Sequence, residues 1–175
     1  SGLRACEARV WSFFRTFDKG MDKYKKHIMG DASEEPMPLY IIPDRKVSLA
    51  DVREGMRNHY EGTELSMTND PGAGVYKVPY RWRPMTFKSE GREYFNERAI
   101  ATQQTGFVLI AQMRSWLPDA VGGILWFGVD DANTAVLTPM YASITEIPEC
   151  YRRGNGSMTE FSWRPAYCIH NWEAT

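Results

Sequence analysis

The sequence predicts an α+β fold, and three observations carry that expectation. Apolar residues recur at helical spacing within the first sixty positions, β-prone runs divided by turn residues fill the stretch from 86 to 145, and strands do not alternate with long helical segments as a parallel sheet would require. With 175 residues, 43% of them apolar and 25% charged, the chain is long enough for one domain with a core. Lys and Arg (21) nearly balance Asp and Glu (22), which argues against nucleic acid or an anionic membrane surface as the main partner. The longest uncharged run, 99–113, contains Thr102, Gln103, Gln104 and Thr105, so no membrane-spanning segment is expected. The opening SGLRACEARVW has no signal-peptide pattern and no initiating methionine, and it reads as the inside of a longer gene product.

Leu3, Cys6, Val10, Phe14 and Phe17 form an apolar stripe among Arg4, Glu7, Arg9 and Arg15, which predicts a helix over 3–17. Charge and Pro-rich turns follow, broken by the brief β-prone run LYII at 39–42. Ser48 with Asp51 three residues later is a capping pattern, and Leu49, Val52 and Met56 continue it into a helix over 48–60. Residues 61–85 are rich in Gly and Pro without periodicity, as functional loops often are. MTFK and REYF flank SEG, whose Gly91 suits a hairpin turn. The runs TGFVLIAQM, GGILWFGV and TAVLTPMYASI then predict three or four antiparallel strands in one buried sheet, so that strands lie mainly within 86–145. Ser162 before Pro165 predicts a last helix over 162–173.

The residues alone display no complete catalytic constellation. His27, His59 and His170 each read more simply as structural, and His59 suits a helix C-terminus as a cation. GxSxG is absent, and the three cysteines Cys6, Cys150 and Cys168 contain no CxxC pair, so neither a metal site nor a cofactor is expected. Asp130 and Asp131 could act as paired acids, yet VDDAN also reads as a turn held by its own side chains. In YRWRP, Arg81, Trp82 and Arg83 could grip a negatively charged ligand end, or one Arg could pair with a nearby acid. TQQTG, with Gln103, places polar side chains at the entry to an apolar strand, either as a site wall or as sheet-edge bonding.

Long strings carry a family resemblance: ARVWSFF, PDRKVSLADVREGMRNHYEGT, YRWRP, FNERAIATQQTGF, RSWLPDAVGGILWFGVDDANTAVLTPMY and ITEIPECY. In these the chain resembles the central and later part of the bacterial dipeptidases of the N-terminal nucleophile hydrolase superfamily. The resemblance implies an αββα sandwich of two antiparallel sheets between helical layers, and hydrolysis of dipeptides. It also implies that the nucleophile is an N-terminal cysteine thiol with its own α-amine as base, an amine whose pKa of about 7.7–8.0 lets it accept the proton at neutral pH. Ser1 stands first here and Cys6 lies in the predicted helix, so the nucleophile is expected outside this chain, and the isolated chain is expected to be inactive. The resemblance further implies a helix arginine beside the nucleophile, for which Arg9 and then Arg4 are the candidates, and it makes Gln103, Trp126 and Asp130 pocket wall or framework. Two other readings remain open at this point: Ser1 as the nucleophile, and a non-catalytic module that binds a carboxylate or peptide. Expected partners are dipeptides, the remaining segments of the parent enzyme, and other copies of this chain, because part of a two-sheet sandwich leaves an apolar face uncovered. Related enzymes are cytoplasmic or exported, so the compartment stays open.

Overall fold

The computed structural model describes residues 6–81, 86–95, 98–148 and 151, which fall in two compact units, Ser1–Thr102 and Gln103–Thr175. Helices and antiparallel strands are both present, as an α+β chain requires. The predicted helix at 162–173 lies outside the described residues.

The first unit is built on α1 (Ala8–Arg15), a 3₁₀ segment (Lys19–Tyr24), α2 (Lys25–Ile28) and α3 (Leu49–Met56). Its core joins Ala8 and Trp11 of α1 to Met21, Tyr24 and Ile28, and to Tyr60, Leu65 and Met67 from the segment after α3. The 3₁₀ segment is capped by Asp18, whose side chain accepts from the Gly20 amide. The capping pattern at Ser48 is realised in full. Ser48 Oγ accepts from the Asp51 amide at 3.2 Å, and Asp51 Oδ2 accepts from the Ser48 amide at 2.7 Å.

Helix α3 ends at Met56, short of the predicted residue 60. Asn58 Oδ1 takes the Tyr60 amide at 2.8 Å, and Tyr60 turns into the left-handed region at φ 66°, so the chain cannot continue as a helix. The run LYII forms no strand. Leu39 is 98% and Ile42 82% exposed, between Pro36, Pro38 and Pro43, whose missing amides deny a sheet its ladder bonds. The hairpin is present as β1 (Thr86–Ser89) and β2 (Arg92–Phe95), with Glu90 and Gly91 both at positive φ (48° and 74°), as a two-residue turn of this kind requires.

In the second unit, β3 (Phe107–Met113), α4 (Asp119–Gly122), β4 (Gly123–Val129) and β5 (Thr138–Tyr141) give a three-stranded antiparallel sheet in the order β3-β4-β5. Central β4 pairs Trp126 with Ile110 on one side and with Pro139 on the other; Pro139 is tolerated because β5 is an edge. The three apolar runs thus share one sheet of three strands, as expected, and the hairpin forms a separate two-stranded sheet. The three-stranded sheet is also less buried than its apolar sequence predicts. Val108 and Ile110 are buried, while Phe107 is 61% and Met113 77% exposed, an alternation set by the period of two along β3. Among the described residues no helix is long and apolar enough to cross a membrane.

Candidate functional site

The first unit contains a cavity of about 440 Å³ lined by Trp11 and Arg15 of α1, Asp22 and Lys25, and Gly62, Thr63, Glu64 and Asn69 from the segment after α3. Its floor follows from helix spacing, because Trp11 and Arg15 are four residues apart and share a face of α1. Trp11 is buried and fixed, its Nε1 donating to the Met21 carbonyl at 2.8 Å. The Arg15 guanidinium lies 5.6 Å from the centre of that indole, and its Nε donates to Asp22 at 2.5 Å. Lys25 pairs with Glu64 across the cavity wall. The Lys25 hydrogen bond and Glu64's own backbone amide hold the Glu64 carboxyl below its ordinary range, and the Arg15 charge adds to this.

The segment 57–64 is shaped by side-chain bonds to the backbone. Asn58 Oδ1 accepts from Ser12 Oγ as well as from the Tyr60 amide, and the Tyr60 hydroxyl donates to the Arg98 carbonyl at 2.6 Å. Thr63 Oγ1 donates to the Tyr60 carbonyl at 2.7 Å, and Gly62 takes φ 71°, where a side chain would be strained. His59 is only 2% exposed, so it is a buried group rather than a solvated helix-end cation. Glu61 binds it twice, through the His59 amide (2.7 Å) and Nδ1 (3.1 Å). Burial raises the Glu61 carboxyl pKa, but the bonds from the His59 ring and backbone outweigh it and leave the pKa lowered. The His59 ring also meets Tyr80 edge to face at 5.6 Å.

The residues singled out from sequence fall in several places. Arg9 lies on α1 two positions before Trp11, nearly the opposite side of the helix from the cavity floor, with Nη2 3.9 Å from Cys6 Sγ. Arg81 clamps its own loop, donating to the carbonyls of Val78 (3.0 Å), Tyr80 (3.2 Å) and Met67 (3.0 Å) and pairing with Asp70. Gly72 is needed beneath it, since a Cβ there would lie 2.6 Å from Arg81 Nε. Arg4, Trp82 and Arg83 lie outside the described residues. In the second unit, Trp126 Nε1 donates to Gln112 Oε1 at 3.1 Å in mid-sheet. Asp130 follows the last residue of β4 at φ 72°, its amide bonded to the Gly106 carbonyl at 3.0 Å, so it adjoins the turn that leads from Gln103 into β3. Asp130 and Asp131 also accept from amides of their own turn, those of Asp131 (2.9 Å) and Asn133 (3.2 Å). Sequence reasoning missed Arg15, Asp22, Lys25 and Glu64. The i, i+4 relation of Arg15 to Trp11 was the available signal; the approach of Glu64 to Lys25, thirty-nine residues apart, left none.

No described hydroxyl or thiol is hydrogen-bonded to His27 or His59. Ser12 bonds Asn58, Cys6 lies beside Arg9, His27 faces Glu7 at 3.7 Å, and the buried Nε2 of His59 has no partner among the described residues. The class is set by the sequence as a whole: residues 3–175 match the family model of Peptidase family C69, and the chain belongs to that family. Among curated proteins it is similar to the probable dipeptidase B of Lactococcus lactis subsp. lactis (strain IL1403), 28% identical over 151 residues, which are 82% of this chain and 28% of that protein. The probable dipeptidase of Salmonella dublin is 27% identical over 133 residues, 76% of this chain and 25% of that protein. That of Latilactobacillus sakei is 24% identical over 175 residues, 91% of this chain and 33% of that protein. The chain thus spans a third or less of the length of these relatives. No solved structure matches it.

Proposed function

We propose that this chain is part of a dipeptidase that attacks the peptide carbonyl with the thiol of an N-terminal cysteine outside these residues. Membership of a peptidase family along 3–175, with relatives named as probable dipeptidases, is the observation that carries the reading. The described histidines support it from the other direction. Neither activates a hydroxyl or thiol, and a nucleophile that uses its own α-amine needs no histidine. In the reaction the amine takes the thiol proton and the thiolate adds to the carbonyl. The leaving amine departs protonated, and water then hydrolyses the thioester to free the second amino acid and the thiol.

In this reading the present residues supply scaffold and substrate contacts. Arg9 or Arg4 orients the reacting groups from the helix start, while Arg81, Trp82, Arg83, Gln103, Trp126 and Asp130 belong to pocket walls. The portion is expected to sit within an αββα sandwich. Expression of the complete reading frame that contains this sequence tests the assignment. Release of amino acids from Ala-Ala should be abolished by a thiol-alkylating reagent and preserved in Cys6→Ser. Hydrolysis that survives alkylation, or that disappears with Cys6→Ser, overturns it.

A further inference from the structure

Four charged side chains around the Trp11 cavity form two ion pairs. Asp22 binds Arg15, and Lys25 binds Glu64. With two charges of each sign, the cavity favours no net ligand charge; it favours a ligand that carries both signs at separate points. Arg15 gives Nε to Asp22, which leaves the edge formed by its two Nη groups without a partner among the described residues. The guanidinium lies 5.6 Å from the centre of an indole that is itself anchored, and a guanidinium edge can bind a carboxylate through two parallel bonds. The Asn69 amide nitrogen is bonded to the Ser66 carbonyl, while its side-chain carboxamide stands at the rim with no partner among the described residues.

The geometry points to this cavity as a recognition site for a short peptide with both termini free, separate from the reacting centre that Arg9 or Arg4 would serve: carboxylate on the Nη edge of Arg15, ammonium on Glu64, and the central amide beside Asn69. The choice of a peptide over another zwitterion rests on the dipeptidase reading. Size agrees, since two extended residues span about 7 Å and a cavity of about 440 Å³ falls inside the usual range for small-molecule sites.

Calorimetry on the 175-residue chain tests the assignment with three probes: Ala-Ala, Ala-Ala amide and N-acetyl-Ala-Ala. Ala-Ala should bind, and blocking either terminus should weaken binding by about tenfold. Arg15→Gln should weaken Ala-Ala by a similar factor and leave the amide unchanged, and Glu64→Gln should act in the same way on the ammonium, leaving N-acetyl-Ala-Ala unchanged. Arg15→Lys, which keeps charge without the planar fork, should fall between wild type and Arg15→Gln and guards against a folding defect. Equal binding of Ala-Ala and its amide, equal losses for both in Arg15→Gln, or no binding at 10 mM on the order of magnitude of weak sites overturns the inference. If these couplings hold but the complete reading frame gives no thiol-dependent hydrolysis, the dipeptidase reading alone fails. If that hydrolysis is found and the couplings are absent, only the cavity assignment fails.

Discussion

Asn58 joins three segments of the first unit. Its side-chain oxygen accepts from Ser12 of α1 and from the Tyr60 amide, and its carbonyl accepts from the Ala101 amide at 3.3 Å. Removing that oxygen leaves the part-buried Ser12 hydroxyl and Tyr60 amide without this acceptor, and each such loss costs about 1–3 kcal/mol. Asn58→Ala is therefore expected to destabilise the chain by a few kcal/mol, read as a lower urea midpoint at unchanged slope. A midpoint within error of wild type would contradict this role. Little of the arrangement is legible in the string RNHYEGT. Asparagine announces an interrupted helix, but a tyrosine at φ 66° is held by Thr63 and Arg98, and tertiary contacts of that kind have no local signature. The same holds for Arg81, where the alternative of pairing with a nearby acid was visible in sequence but Asp70 as the acid was not.

Among elements, α3 is the most legible because its start is encoded within four residues. Ser48 and Asp51 exchange bonds, and Arg45 grips the same carboxylate at 2.8 Å through both Nη groups. The Arg45 bonds, then those from Ser48, hold the Asp51 pKa far below the ordinary carboxylate value. A carboxyl whose folded pKa is depressed contributes stability above its unfolded pKa, and that contribution fades as pH falls toward the folded value. Thermal stability of the wild type should therefore drop more steeply below about pH 4 than that of Asp51→Asn; parallel curves would refute the link. The close of α1 against α3 was hidden by contrast. Gly55 is buried because a Cβ would stand 2.9 Å from the Phe13 ring, a requirement set by a residue forty-two positions away. LYII misled for a related reason: β-propensity counts only where a partner strand exists, and the neighbouring prolines remove that option.

At the scale of the whole molecule, apolar surface remains exposed on both units. On the β3 face it comprises Phe107, Leu109 and Met113, with Leu125 in register on β4; in the first unit it includes Leu39, Tyr40, Ile42, Val75 and Tyr76. Exposed patches of this kind favour association. Sedimentation of the purified chain should show mass rising with concentration, and Leu109→Lys should reduce it; a monomer at all concentrations would count against the reading. The α+β class, and within the described residues the order of α1, α3, the hairpin and the three-stranded sheet, could be read from hydrophobic period and turn residues. The charged cavity could not, because its walls come from positions 11 to 69 and meet only after folding. The most direct measurement is an assay of the purified 175-residue chain with Ala-Ala, with and without acetylation of its amino terminus. No hydrolysis is expected in either sample, since the proposed nucleophile is a cysteine thiol outside these residues. Hydrolysis by the free chain that acetylation abolishes would make Ser1 the nucleophile and contradict the account.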